Sequence, residues 1–153
     1  MLYPSAKAIV FDPSRPSDLL MLRRNDYYEP AGGKVRVNFA RKESESLEGC
    51  AIRECKEELG ATVEISQYLG SYYFFWTRFP DCMSVCALYS ARLIDLDENQ
   101  LIEQDDGGFP MEPTWVNIHD IINGNAPINS YFIGLEPLVK KFIELQLAIR
   151  STT

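Results

Sequence analysis

Basic residues are the scarcer charge in this chain. Lys and Arg number 15 against 22 Asp and Glu, a formal net charge of −7 over 153 residues. Binding nucleic acid through its phosphate backbone needs a basic face, and this balance argues against one. Phosphorylated small molecules remain admissible partners if divalent cations sit between the two negative charges. Long apolar runs are also missing. None approaches the ~20 residues of a membrane-spanning helix, so no membrane partner is expected. Residues 1–16 show no long apolar stretch behind a basic start, which argues against a secretory signal and for a cytoplasmic protein.

Histidine and cysteine are few. His119 is the only histidine and has no partner at ligand spacing. Cys50 and Cys55 fall on a predicted helix, where five residues turn their side chains about 140° apart. Cys82 and Cys86 fall on a predicted strand, on one face but about 13 Å from each other. That is too far for a disulfide or a shared zinc ion. Free thiols in a reducing compartment are the expectation.

Apolar residues make up 46% of the chain and aromatics 12%. This is enough for one domain over residues 1–153 that needs no disulfide or metal staple. Residues 5–11 and 18–23 read as apolar strands joined by the turn DPSRPSD. A loop with Tyr27, Tyr28, Pro30, Gly32 and Gly33 follows, and residues 35–43 lack a clean period and read as loop. Residues 46–59 form the clearest helix, with Ser46 as N-cap, Gly60 at C′ and Leu47, Ala51, Cys55 and Leu59 as its buried stripe. Residues 62–78 and 82–94 read as an antiparallel pair turning near Asp81. A short strand at 115–118, a brief helix at 119–122 and a helix from Pro137 to Arg150 complete the chain. Leu138, Phe142, Leu145 and Ile149 mark the core face of that last helix. The order of strands, helix, strands, helix predicts an α/β fold with helices packed on a mixed sheet.

The strongest chemical signal lies on the first helix. Glu54, Glu57 and Glu58 stand at i, i+3 and i+4 and project from one side. With only Arg53 and Lys56 interleaved, three adjacent carboxylates repel one another unless cations neutralise them. Hard divalent cations such as Mg²⁺ or Mn²⁺ take oxygen ligands and can grip phosphate oxygens and activate water. A solvated acidic face is the alternative reading of the same residues.

The surrounding residues narrow the choice. From Glu45 through Arg53-Glu54-Cys55-Lys56-Glu57-Glu58-Leu59-Gly60-Ala61 the chain resembles the second half of the Nudix box, G-x5-E-x7-R-E-U-x-E-E-x-G-U, at every spacing. Cys55 and Ala61 fill the two bulky apolar positions. Gly33 and Glu45 are separated by eleven residues where the pattern has five, so the loop between them carries an insertion. The segment Pro30-Ala31-Gly32-Gly33-Lys34-Val35 resembles both ADP-ribose-type and nucleoside-triphosphate-type members.

The resemblance implies a single-domain Nudix-like α/β/α sandwich that hydrolyses, with Mg²⁺ or Mn²⁺, the pyrophosphate linkage of a nucleoside diphosphate joined to another group. The substrate is then a nucleotide-derived small molecule, and the oligomeric state, a homodimer included, stays open. It implies Glu54, Glu57 and Glu58 as metal-binding carboxylates, and Glu54 or a glutamate outside the box as the base. It further implies Arg53 as a partner of Glu45, the Gly32 carbonyl as a further metal ligand, and Arg23 as a phosphate contact beside Gly33. The extra glutamate that many members recruit is sought among Glu98, Glu103 and Glu112, with Glu103 preferred as a metal ligand. Tyr28, with Tyr27, is placed to touch a base, whereas the run from Tyr72 to Trp76 is read as core. A non-catalytic nucleotide-sensing or protein-binding module, and then an isoprenoid diphosphate isomerase, are the rival readings. The start of an EF-hand loop at Asp95 lacks the required Gly and terminal Glu.

Overall fold

Alternation along the first strand decides the layering. In the computed structural model, which describes residues 1–101, 105–106 and 109–151, strand β1 (Leu2–Phe11) turns Ala6, Ala8 and Val10 into one core and Ile9 into a second. Successive strand residues face opposite sides, so β1 can be buried on both. It pairs antiparallel with β2 (Asp18–Arg24), which carries β3 (Tyr27–Glu29) on its far end. It also pairs antiparallel with β4 (Ala31–Lys34), with Ala6 opposite Gly33 and Lys7 opposite Gly32.

The segment read as loop at 35–43 instead closes into a small hairpin of β5 (Val37–Asn38) and β6 (Glu43–Ser44), apart from the main sheet. Two-residue strands leave too few positions for a period to show in sequence.

Helix α1 (Leu47–Leu59) is capped as its sequence predicts. The Ser46 side chain accepts from the Gly49 amide at 2.9 Å, and Gly60 ends the helix in the left-handed region at φ 68°. Cys50, Ala51, Cys55 and Leu59 pack on the sheet, while Leu47 stays exposed, because the buried arc begins one turn later.

After α1 come β7 (Ala61–Phe75) and β8 (Met83–Leu96), paired antiparallel, with β8 parallel to β1. A 3₁₀ turn covers Glu98–Gln100, and β9 (Asp105–Asp106) pairs with β10 (Phe109–Pro110). Strand β11 (Glu112–Asn117) begins earlier than its apolar residues indicate and adds to the outer edge of β2. The seven-stranded mixed sheet runs β11-β2-β1-β8-β7, with β3 on β2 and β4 on β1.

Helices α2 (Ile118–Ile122) and α3 (Leu135–Ser151) cover the face opposite α1, giving the expected α/β/α arrangement. Asn117 caps α2 by accepting from the His119 amide at 2.8 Å. Helix α3 starts two residues before Pro137, which sits in the first turn, where its missing N–H costs nothing. Its buried face is Leu135, Val139, Phe142 and Ile143, whereas Leu145 is 51% and Ile149 59% exposed. The helix is apolar on two sides, so periodicity alone could not choose between registers, and docking on the sheet does. All four cysteines are free. No helix among the described residues is long and apolar enough to cross a membrane.

The caps hold α1 against β4. Ser46→Ala is expected to cost about 1 kcal/mol, read as a lower midpoint of urea unfolding with an unchanged slope. An unchanged midpoint would show that the cap does not bear on stability.

Candidate active site

Strand β4 brings the glycine pair against α1. The Gly32 amide donates to Glu58 Oε1 at 2.7 Å, so this residue meets the acidic helix through its N–H. A Cβ on Gly33 would strike the Glu54 carboxylate, and one on Gly32 would strike the backbone of Ala6 and Lys7 in β1. The two glycines therefore do different things. Gly32 lets two strands approach, and Gly33 leaves room for Glu54.

Arg53 orders the acidic ridge. Its Nε and Nη2 grip both oxygens of Glu45 at 3.0 and 2.6 Å. Its Nη1 donates to Glu54 Oε1 at 2.8 Å and to Glu57 Oε2 at 3.1 Å. Its Nη2 also reaches the Lys34 carbonyl at 3.1 Å. The hydrogen bonds from Arg53 hold the Glu45 carboxyl down at about 2 against the opposing effect of burial. The Arg53–Glu45 pair is the one anticipated from the sequence, and it ties the inserted loop to the helix. Arg36 adds to that tie, through its amide to Glu45 Oε1 at 2.8 Å and its guanidinium to Glu57 Oε1 at 3.1 Å.

The ridge is thus not a set of three bare carboxylates. Glu57 is engaged by Arg36 and Arg53 and does not line the cavity. Glu54 and Glu58 do line it. The Glu58 carboxyl is pushed up to about 8, chiefly by burial, with Lys7 opposing and Glu54 adding a smaller rise. Burial outweighs the like-charge repulsion anticipated as the dominant effect.

The cavity holds about 760 Å³, within the range of small-molecule sites. Glu29, Glu54 and Glu58 supply carboxylates, and Lys7, Arg24 and Lys34 supply cations. Phe74, Trp76, Tyr131 and Phe132 form an aromatic wall. Glu29 is buried and paired with Arg24 and, at 3.9 Å, with Lys7. The Lys7 ammonium donates to the Pro30 carbonyl at 3.2 Å. Arg24 also reaches the Met111 sulfur at 3.0 Å.

Two residues assigned to the substrate from sequence are elsewhere. Arg23 is exposed, and its Nε donates to the Asn25 carbonyl at 3.1 Å. One step along β2 reverses the face, so Arg24 is the arginine that reaches the cavity. Tyr28 packs into the α3-side core and bridges to Ile128, and so anchors the loop. Glu98 and Glu112 are exposed and off the cavity wall, and Glu103 lies outside the described residues. Lys7, Arg24, Glu29 and the aromatic wall were not anticipated. Only Lys7 carried a signal, a lone cation within the apolar strand SAKAIVF.

Among the described residues no three His, Cys, Asp or Glu side chains converge to hold a metal ion. Arg53 stands among the carboxylates, and Glu57 turns to Arg36. Two carboxylates on a cavity wall still suit a hard cation, because Mg²⁺ commonly takes one or two protein carboxylates and fills its shell with water and phosphate oxygens. A cation beside Glu58 would also offset the burial of its charge. Burial pushes the Cys50 thiol up to about 12 and raises that of Cys55 further, so neither is a ready nucleophile or ligand.

A family model described as NUDIX domain matches residues 1–134. Among solved structures, a NUDIX hydrolase from Nitrosomonas europaea superposes with a TM-score of 0.70 at 12% identity, over 95% of this chain and 91% of that one. The MutT protein from Methanosarcina mazei Go1 superposes with a TM-score of 0.64 at 20% identity, over 94% of each chain. At these identities the likeness is one of fold. No curated protein matches the chain.

Gly33→Ala is expected to displace Glu54 with little loss of stability, because a carboxylate tip can swing. Gly32→Ala should destabilise strongly by parting β1 from β4. Thermal melts of the two variants test this, and equal melting temperatures would contradict the division of roles.

Glu58 also predicts a pH dependence. Its folded pKa of about 8 lies above the ordinary 4.5, so the folded state binds the extra proton between those values. By linkage, metal-free protein should lose stability as pH rises from 5 to 8. Glu45, held at about 2, contributes a constant amount across that window. Glu58→Gln should flatten the slope, and a wild-type slope retained in the variant would place its origin in another group.

Proposed function

The chain belongs to the NUDIX domain family, and on that premise we propose that it is a divalent-cation-dependent hydrolase of a P–O–P linkage in a nucleoside diphosphate joined to another group. The observation that carries this reading is the meeting of Glu54 and Glu58 with Lys7 and Arg24 around one cavity. A diphosphate brings negative charge to carboxylates, so cations must come with it or already be there. Lys7 and Arg24 provide two from the chain, and Mg²⁺ or Mn²⁺ held by Glu54 and Glu58 would provide the rest. The bound ion would supply Lewis-acid polarisation of the phosphate oxygens and a more acidic water.

The chain's own residues account for the remaining steps. Arg53 fixes the Glu54 side chain at the cavity wall through the 2.8 Å hydrogen bond. Glu54, set there, accepts the proton of the attacking water. The water oxygen bonds to phosphorus as the bridging P–O bond breaks, and the bridging oxygen leaves on the departing phosphate. Lys7 is 5% exposed, so its charge acts on the phosphates with little screening by water. Two of the three ridge carboxylates, Glu54 and Glu58, stand on the cavity wall and favour catalysis over a purely sensing module.

Product release should be assayed across nucleoside triphosphates, ADP-ribose, dinucleoside polyphosphates and nucleotide sugars, with Mg²⁺, Mn²⁺ or a chelator. Turnover is expected only with a divalent cation. Glu54→Gln and Glu58→Gln should each lower kcat by about 100-fold or more, the scale for losing one preorganised electrostatic partner. Glu57→Gln, off the wall, should lower it less. Turnover in chelator, or near-wild-type rates in both cavity variants, would refute the assignment.

A further inference from the structure

The aromatic wall gives the cavity a direction. Trp76 lies just beyond the end of β7, where its backbone amide donates to the Cys82 carbonyl at 3.0 Å. Its indole N–H donates to Ser84 Oγ at 3.1 Å, and that buried hydroxyl meets Ser5 Oγ at 3.2 Å. Phe74 supports the indole with ring centroids 5.2 Å apart. The ring is therefore held in place before any ligand arrives. The Lys34 ammonium lies over the indole, 3.8 Å from its centroid.

We infer that the Trp76 indole is the base-stacking subsite of this cavity, taking a planar nucleobase in the place that the Lys34 ammonium now holds. The inference rests on the proposed reading of the cavity as a nucleotide site and adds which side chain meets the base. Three observations favour Trp76 over Phe74 and Phe132. Phe74 is enclosed by the rings of Trp76, Tyr131 and Phe132. The Phe132 ring carries the Lys7 ammonium at 4.8 Å, and Lys7 is buried and tied to Pro30 and Glu29, so that cover is fixed. Lys34 is exposed, so its cover over Trp76 can be exchanged.

Magnitudes favour the exchange. An exposed cation–π contact stabilises by only about 2- to 5-fold, while stacking one base on an aromatic ring is worth roughly 5- to 150-fold. The indole also accepts any base, because every base has a π-face. Selection at this subsite is thus for a planar ring over none, with weak preference among bases. Once displaced, Lys34 stays at the cavity mouth as a cation available to the phosphates.

The test compares AMP with ribose 5-phosphate, which has the sugar and phosphate but no base. Binding of both is measured by calorimetry with Mg²⁺ present in wild type, Trp76→Phe and Trp76→Ala. Wild type should bind AMP at least about 5-fold more tightly than ribose 5-phosphate, the lower bound for one stacked base. Trp76→Ala should abolish that ratio while leaving ribose 5-phosphate affinity unchanged, and Trp76→Phe should keep most of it. Trp115 stacks under Arg15 at 4.0 Å and is no part of the cavity wall, and the chain has two tryptophans. Trp115→Phe thus leaves Trp76 as the sole indole, whose fluorescence AMP should quench and ribose 5-phosphate should not. An unchanged ratio in Trp76→Ala, or an equal loss of both ligands, overturns the inference while the hydrolase reading stands. Failure of wild type to bind either compound, together with no product from the substrate panel, overturns the hydrolase reading and this inference with it.

Discussion

Arg53 is a single guanidinium that three carboxylates and one carbonyl share. It sits on α1 one residue before Glu54, and its planar fork can serve several acceptors at once. Its Nε and Nη2 close on Glu45 at the end of the inserted hairpin, its Nη1 holds Glu54 and Glu57, and Nη2 also reaches the Lys34 carbonyl at the end of β4. The hairpin, the glycine strand and the acidic helix are thereby fixed to one another by hydrogen bonds from one side chain. Arg36 adds only its amide to Glu45 and its guanidinium to Glu57. The ridge is ordered by this internal cation, and that is why it does not present itself as three equivalent ligands.

The opposite side of the site is governed by burial. Glu29, Glu58 and Lys7 are each almost wholly removed from solvent. Buried charges need partners, and here they find them in one another, in Arg24 and in the Gly32 amide. Burial still raises the Glu58 carboxyl to about 8, with the Lys7 charge opposing the rise. A site in that condition is poised for an added positive charge. The two halves divide the work, with Arg53 setting positions and burial setting the electrostatic demand.

Much of the fold was legible because local rules agreed with the tertiary result. The α1 cap residues, its acidic ridge and the long hairpin of β7 and β8 all stood where side-chain chemistry and periodicity placed them. The fold was less legible where a segment was too short to show a period, as in the β5–β6 hairpin, or had two apolar faces, as in α3. The residues that line the cavity divided in the same way. Glu54 and Glu58 were readable from spacing along one helix. Arg24 was missed for Arg23, because the choice between adjacent residues is the choice of sheet face, and that depends on the register of β2.

By itself the sequence determined the helix with its caps and the side of it on which the glutamates lie. These follow from residue types at fixed separations on one element. Only the tertiary structure decided which carboxylates face the cavity, which lysine is buried beside them and which aromatic ring is left with a displaceable cover. Each of those depends on residues far apart in the chain, such as Lys7 with Glu29 and Glu58, or Lys34 with Trp76. Their meeting is set by strand order and register, which no local pattern encodes.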